Sequence, residues 1–287
     1  MSEAPSATTY VKAETQVVSV SNGVDYAYRT TGASDAPALV TFQHFRGNLD
    51  NWDPALIDAL ATKRQVITFD NRGVAATSGR TPSTIAQMAL DAIDFIDALR
   101  VGEVDLLGFS IGSFVAQEIA LVRPSSVRKV VLASSAPQGA SGMHGWAEDV
   151  IAAVGKPETS GEEYLSVFFT DSEASRAAGQ EVLGRLYGAR TVERDADVSW
   201  QTRLAQYDAV CHWGQPNHSL LERVSAIDKP AFVTNGDSDP MILPHYSYLL
   251  AGLIPNARLK IYPDSAHGFL FQHHAEFAAD VGAFLAG

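Results

Sequence analysis

The sequence contains one cysteine, Cys211, which excludes an intramolecular disulfide and a cluster of thiolate metal ligands. Basic residues are also scarce: 21 Lys and Arg stand against 33 Asp and Glu, and the formal net charge is −12. Because surplus negative charge repels phosphate groups, nucleic acids and anionic membranes are disfavoured as partners. We therefore expect a small-molecule substrate, and the sequence leaves open whether the chain is a monomer or a homodimer.

Long apolar runs are missing as well. No hydrophobic stretch approaches the roughly 20 residues that cross a bilayer. The polar segment 1–15 carries Glu3 and Glu14 where a secretory signal would have a basic start and an apolar core. No His-x-x-x-His spacing indicates a metal site. We expect a cytoplasmic protein with no secretory signal, no metal and no cofactor.

What the sequence does have is an alternation of apolar runs and amphipathic segments. Two β-rich runs, 15–20 and 24–30, flank a Ser-Asn-Gly turn that is typical of a hairpin. Six further apolar runs predict strands buried on both faces, at 38–42, 65–69, 104–107, 127–133, 231–234 and 258–262. Helical spacing occurs at 53–61, 84–99, 111–122, 246–253 and 275–285. The pattern predicts an α/β fold, with a mostly parallel central sheet of about eight strands flanked by helices.

One region interrupts this alternation. Residues 138–227 lack a strong strand signal and contain several amphipathic, charged segments. They fall between the sixth and seventh predicted strands, and ligands of such sheets bind beyond the carboxyl ends of the strands. Long insertions into compact domains are usually functional. We predict a core domain of residues 1–137 and 228–287 and a helical cap, or lid, of residues 138–227; a merely structural excursion is the alternative.

A candidate nucleophile lies at the end of the fifth predicted strand. The chain there reads Gly108-Phe109-Ser110-Ile111-Gly112 and continues into a helical segment. A serine at such a turn sits on a strained backbone, and glycine on either side leaves room for the strand and helix to pass closely. The N–H of Ile111, at the positive end of the helix, would face an oxyanion formed at the serine. We predict Ser110 as the nucleophile.

A serine nucleophile needs a base, and the base needs an acid to orient it. Asp237 and Asp239 follow the seventh predicted strand, and His267 follows the eighth. We predict Asp239 as the acid and His267 as the base. Asp237, in the same turn, is the alternative acid. The chain order Ser, Asp, His, with each residue after a strand, supports this assignment.

Together these residues resemble the α/β-hydrolase superfamily over nearly the whole chain. The turn 108–112 looks like the nucleophile turn of that superfamily, and Gly236-x-x-Asp239 looks like its acid loop. Ala266-His267-Gly268 looks like its histidine loop, and the turn 69–73 looks like a further turn of the superfamily. The insertion is similar to its cap domain. The resemblance implies the α/β-hydrolase fold and cofactor-independent acyl transfer to water, in which serine attacks a carbonyl and histidine moves the proton.

The chain departs from the superfamily after the third strand, where a His-Gly pair usually lies. Counting back from Trp52 places Gln43 and His44 in those two positions. A backbone N–H at the next residue can still donate, so we predict Phe45 and Ile111 as the oxyanion-hole donors. His44 is either a pocket residue or a packed one. Arg46 either binds a substrate carboxylate or faces solvent.

The resemblance identifies a superfamily rather than a substrate. We predict substrate contacts from His44, Arg46, Trp146 and Trp213, since aromatic side chains in the insertion can enclose an apolar group. Further candidates there are Phe168, Phe169, Tyr187, Trp200, Tyr207 and His212. The principal prediction is a serine esterase or lactonase acting on small, fairly apolar substrates. The alternatives are a hydrolase of carbon–carbon bonds in ring-fission diketones, with Arg46 on a carboxylate, and a ligand receptor that retains the triad with negligible turnover.

Overall fold

The computed structural model describes residues 9–32, 36–188, 190 and 193–287. Residues 1–8 carry part of the segment for which we expect no secretory signal, and they lie outside the described residues. Within the described ranges, no helix combines the length and the apolar character needed to cross a bilayer.

A single eight-stranded sheet forms the centre of the described structure. Its strands are β1 (Gln16–Ser19), β2 (Asp25–Thr31), β3 (Leu39–Phe42), β4 (Val66–Phe69), β5 (Val104–Phe109), β6 (Val127–Ala133), β7 (Ala231–Gly236) and β8 (Ala257–Tyr262). They are ordered β1-β2-β4-β3-β5-β6-β7-β8. β2 runs antiparallel to β1 and β4, and all other neighbours are parallel. The predicted fold class is confirmed.

Burial explains why the strands differ in composition. Every residue of β3, β5 and β7 is buried, as expected for near-continuous apolar runs with helices on both faces. β1 is an exposed edge strand and is correspondingly more polar. The turn between β1 and β2 forms as predicted, with Gly23 at φ 82° and the Val20 N–H donating to the Val24 carbonyl at 2.9 Å.

Helices connect the strands and cover the sheet. They are α1 (Pro54–Leu60), α2 (Ile85–Leu99), α3 (Ile111–Val122), α4 (Glu148–Val154), α5 (Gly161–Phe168), α6 (Glu173–Gly188), α7 (Trp200–Trp213), α8 (His218–Arg223), α9 (His245–Leu253), α10 (Phe269–Gln272) and α11 (His274–Ala286). The predicted boundaries at 53–61, 84–99 and 275–285 differ by one residue at each end or fewer. α3 begins and ends where the sequence predicts.

The helices α4 to α8 all fall within residues 138–227, between β6 and β7. No strand accompanies them among the described residues of this region, and we call residues 138–227 the cap. Two bidentate ion pairs join the cap to the rest of the chain. Arg185 donates to Asp53 at 2.8 and 2.7 Å, and Arg223 donates to Glu118 at 2.5 and 2.8 Å.

Candidate active site

Ser110 occupies a strained turn between β5 and α3. Its φ is 57° and its ψ is −127°, values that a residue with a side chain adopts only where the surrounding structure holds it. A Cβ at Gly108 would collide with the Gly112 carbonyl, and a Cβ at Gly112 would collide with the Phe42 carbonyl. The Ser110 N–H donates to the Ala133 carbonyl at 2.9 Å. Close packing between β3, β5 and α3 therefore maintains the strained turn at the carboxyl edge of the sheet.

The loops after β7 and β8 bring Asp239 and His267 together. His267 Nδ1 lies 2.8 Å from Asp239 Oδ2, and both side chains are buried. Asp239 Oδ1 accepts the N–H groups of Met241 and Ile242 at 2.8 and 3.0 Å. Because a carboxylate accepts, Nδ1 of His267 carries the hydrogen and Nε2 is left as an acceptor. That Nε2 is buried and has no hydrogen-bond partner among the described residues, the Ser110 hydroxyl included, so it is left as an acceptor.

Asp237, the alternative acid, has different partners. Its carboxylate accepts the N–H groups of Asp264 at 2.9 Å and Ser265 at 3.2 Å, and it is exposed. It therefore ties the loop after β7 to the loop after β8. Of the two carboxylates, the structure places only Asp239 against His267.

Two backbone N–H groups near Ser110 are free, one in the loop after β3 and one at the first residue of α3. Neither the Phe45 N–H nor the Ile111 N–H has an acceptor among the described residues. The Gln43 side chain accepts the His44 N–H at 2.9 Å and donates to the Asn48 carbonyl at 3.3 Å, which fixes the path of the loop. The loop then turns through Arg46 at φ 62°. The two predicted oxyanion-hole donors are thus both available for a bound oxyanion.

His44 is a pocket residue rather than a merely packed one. Its ring lies 5.3 Å from Phe109 and 5.3 Å from Phe168, and the same two rings flank His267 at 5.0 and 5.3 Å. Nδ1 lies 2.8 Å from the Phe45 carbonyl, and Nε2 is buried without a partner among the described residues. Burial, with a smaller effect of His267, lowers the pKa of His44 to about 3, so the imidazole is neutral at neutral pH.

A cavity of about 610 Å³ lies between these loops and the cap. On the core side it is lined by His44, Phe45 and His267, and on the cap side by Val154, Tyr164 and Phe168 among others. Ser110 is 2% exposed and is not one of the lining residues. The cavity therefore reaches His267 and Phe45, at a size suited to a small organic molecule.

Of the four predicted substrate contacts, His44 and Arg46 line the cavity, whereas Trp146 and Trp213 do not. Trp213 stacks on Phe114 at 5.1 Å and donates to the Ala136 carbonyl at 3.0 Å, so α7 directs it into the interior. Trp146 packs on Phe45 at 4.9 Å, and neither tryptophan lines the cavity. Arg46 does line it, but its guanidinium donates to the carbonyls of Lys156 and Pro157 at 2.8 and 2.6 Å.

Tyr164 is a cavity residue that sequence reasoning missed. Its ring stacks on Phe168 at 4.1 Å, and its Oη is buried without a partner among the described residues. The available signal was spacing, because residues four apart on α5 share one face. The described residues contain no group of three or more His, Cys, Asp and Glu side chains suited to a metal ion.

Comparison with known proteins gives consistent matches across the chain. The model of the family described as alpha/beta hydrolase fold matches residues 37–274. A solved alpha/beta hydrolase fold protein from Chitinophaga pinensis is 41% identical, with a TM-score of 0.90, and the match covers 97% of this chain and 99% of that one.

Two curated relatives align over most of their length. A poly(3-hydroxyalkanoate) depolymerase from Ectopseudomonas oleovorans is 29% identical over 86% of this chain and 83% of its own. The human serine hydrolase BPHL is 25% identical over 89% of this chain and 81% of its own.

Proposed function

The chain belongs to the alpha/beta hydrolase fold family and is an enzyme of that type, and we propose that it is a serine hydrolase of small, fairly apolar carboxylic esters or lactones that acts through an acyl-enzyme on Ser110. One observation carries the proposal. His267 Nε2 is a buried acceptor without a partner among the described residues, on an imidazole that Asp239 fixes at 2.8 Å.

The first half-reaction follows from this arrangement. Ser110 Oγ attacks the substrate carbonyl carbon while His267 Nε2 takes the hydroxyl proton, and Asp239 stabilises the imidazolium that forms. The carbonyl oxygen becomes an oxyanion that accepts the N–H groups of Ile111 and Phe45. When the carbonyl re-forms, the bond to the leaving oxygen breaks, and His267 returns the proton to that oxygen.

The second half-reaction repeats these roles with water. His267 Nε2 takes a proton from water, whose oxygen attacks the acyl carbon, and the same two N–H groups hold the oxyanion. Collapse releases the carboxylic acid and returns the proton to Ser110 Oγ.

The substrate class rests on the cavity. Its volume of about 610 Å³ suits a small acyl group. Val154 and Phe168 give the cavity an apolar part, and Arg194 and Asp197 give it a charged part. The names of the relatives, a serine hydrolase and a poly(3-hydroxyalkanoate) depolymerase, agree with ester hydrolysis. The carbon–carbon alternative gains no support, because the Arg46 groups that would hold a carboxylate donate to the Lys156 and Pro157 carbonyls.

The test is hydrolysis of a nitrophenyl ester series of increasing acyl length by the wild-type protein and by Ser110→Ala. We expect kcat/KM to fall by at least about 10³-fold in the variant, as when a triad serine is removed. A fluorophosphonate should label the wild type on the peptide that contains Ser110 and leave the variant unlabelled. Equal turnover by both proteins, or a label on another residue, would refute the proposal.

A further inference from the structure

The proposed mechanism leaves one buried polar group of the cavity unused, the imidazole of His44. It is 8% exposed and lines the cavity beside His267. Because the Phe45 carbonyl can only accept, His44 Nδ1 carries the hydrogen of the 2.8 Å bond between them. Nε2 of the neutral ring is then a bare acceptor, and it has no partner among the described residues.

A buried acceptor without a partner favours a ligand that carries a hydrogen-bond donor. A buried polar atom without a partner destabilises a protein, and a bound donor removes that penalty. A neutral imidazole nitrogen accepts from a hydroxyl or an N–H group, whereas it gains nothing from a methylene or a carbonyl. His44 therefore distinguishes ligands that carry a donor from ligands of the same shape that do not.

The position of His44 indicates where this donor must lie on a substrate. His44 and His267 share Phe109 and Phe168 as neighbours, at ring distances of 5.0 to 5.3 Å. His44 also directly precedes Phe45, whose N–H is a proposed donor to the oxyanion. A group that reaches His44 Nε2 is thus attached close to the carbonyl under attack, on the acyl side or in the first atoms beyond it.

We propose that His44 is a specificity-determining residue that accepts a hydrogen bond from a hydroxyl on the acyl group, within two or three carbons of the scissile carbonyl. The preferred substrates are then esters of short hydroxy acids. This inference rests on the proposed function, because it places the hydroxyl relative to a carbonyl attacked by Ser110.

The test compares nitrophenyl esters of butyrate, 2-hydroxybutyrate and 3-hydroxybutyrate, with each rate divided by the rate of alkaline hydrolysis. We expect the wild type to favour one hydroxy ester over butyrate by about 10- to 100-fold in kcat/KM, the effect of satisfying one buried acceptor. Equal normalised rates for all three esters would overturn the proposal.

Two variants separate the acceptor from its support of the loop. His44→Asn keeps an amide N–H near the position of Nδ1, facing the Phe45 carbonyl, but removes Nε2. His44→Gln places an amide oxygen near the position of Nε2. We expect the preference for the hydroxy ester to fall to about 1–3-fold in His44→Asn and to be partly retained in His44→Gln. Val154→Ala enlarges the same cavity without touching a polar atom and should change all three rates by a similar factor.

The same comparison of three esters would also reveal a different role for His44. If His44→Asn slows the three esters by one common factor and leaves their ratio unchanged, His44 positions the loop or the hydrolytic water, and the proposal is overturned. A larger loss for the hydroxy ester than for butyrate, so that the ratio disappears, supports it.

A binding measurement distinguishes failure of this inference from failure of the proposed function. Calorimetry on Ser110→Ala compares 2-hydroxybutyrate and 3-hydroxybutyrate with butyrate, and needs no turnover. Tighter binding of a hydroxy acid that disappears in Ser110→Ala/His44→Asn supports the His44 subsite even if the wild type hydrolyses no ester. Equal binding of the three acids in Ser110→Ala refutes the subsite, whatever the ester rates show.

Discussion

The two sides of the cavity are built by different means. On the core side, which we call the floor, the turn after β5 and the loops after β3, β7 and β8 place each polar atom through contacts close by in the chain or in a neighbouring loop. Asp239, for example, is held by the N–H groups two and three residues further on. On the cap side, which we call the roof, position depends on side-chain bonds between distant segments, such as Arg185 with Asp53.

In the proposed mechanism, the two sides of the cavity have different tasks: one carries out the reaction and the other selects the substrate. The floor supplies the nucleophile, the base and the oxyanion donors of the proposed mechanism, and its geometry follows from the sheet. The roof supplies Val154, Tyr164 and Phe168, and its place depends on contacts such as the Asp195 N–H with Asp50 Oδ2 at 2.7 Å. Changes in the floor should therefore affect rate, and changes in the roof should affect stability and selectivity.

The largest expected effect is in the floor. Asp239→Asn should lower kcat by about 10³- to 10⁴-fold, because an amide cannot fix the imidazole in the tautomer that leaves Nε2 free to accept. Steady-state kinetics on a nitrophenyl ester measures it. Asp237→Asn is the matched control and should lose less than about tenfold, since it acts only on the backbone of two loops. A larger loss in Asp237→Asn would show that the acid is assigned to the wrong carboxylate.

In the roof, removal of an ion pair with the core should lower the free energy of unfolding rather than kcat. Arg185→Ala leaves the Asp53 carboxylate buried without its cation, and we expect the free energy of unfolding to fall by about 3 kcal/mol. Urea unfolding measures the change. Arg176→Ala on the same helix removes pairs with exposed partners and should change it by less than about 1 kcal/mol. An equal loss of unfolding free energy in both variants would show that the ion pair of Arg185 with Asp53 does not hold the roof in place.

Because His44 is buried in the floor, we also expect the stability of the protein to depend on pH. Its pKa is lowered to about 3 in the folded chain, against about 6.5 when unfolded. Between these values the unfolded chain binds a proton that the folded chain excludes. The free energy of unfolding should therefore fall as pH falls below about 6.5, by up to about 1.4 kcal/mol per pH unit from this group.

Urea unfolding of the wild type and His44→Asn between about pH 7 and about pH 5 isolates this contribution, because carboxylates common to both proteins cancel. We expect a shallower decline in the variant. The exposed His144 provides the control, since His144→Asn should keep the wild-type slope. Parallel slopes for wild type and His44→Asn would contradict the burial of a neutral His44.

The smallest expected effect concerns substrate size. Val154→Phe fills part of the roof, and we expect the optimum of the ester series to move to shorter acyl chains, with about fivefold lower kcat/KM for the longest ones. The rate for acetate should stay within about twofold. An equal fall in kcat/KM for all esters of the series would mean that the roof residue also affects the positions of the residues in the floor.

Much of the floor could be predicted from sequence because its signals are local. An apolar strand that runs into Gly-x-Ser-x-Gly specifies Ser110, and the order of Asp and His after later strands specifies the two loops. The choice between Asp237 and Asp239 depended on tertiary structure. Both lie in one turn, and only the approach of the loop after β8 shows which carboxylate meets His267 and which meets backbone N–H groups.

The roof was less predictable for a similar reason. Trp146 lies in the loop before α4 and packs on Phe45. Trp213 is a large aromatic residue on α7, and the rotation of that helix about its axis decides whether its side chain faces the cavity or the interior. That rotation follows from contacts between segments far apart in sequence, such as Trp213 with Phe114. Tyr164 and Phe168 took the positions at the cavity instead.

The sequence by itself determined the fold class, the identity of the candidate nucleophile and base, and the place of the insertion, because periodicity and turn chemistry act over a few residues. Only the tertiary structure showed that Asp239 and not the alternative Asp237 contacts His267, which residues of 138–227 line the cavity, and that His44 is buried with Nε2 unpartnered among the described residues. Those properties depend on burial and on pairs of atoms brought together from distant segments, which no local pattern records.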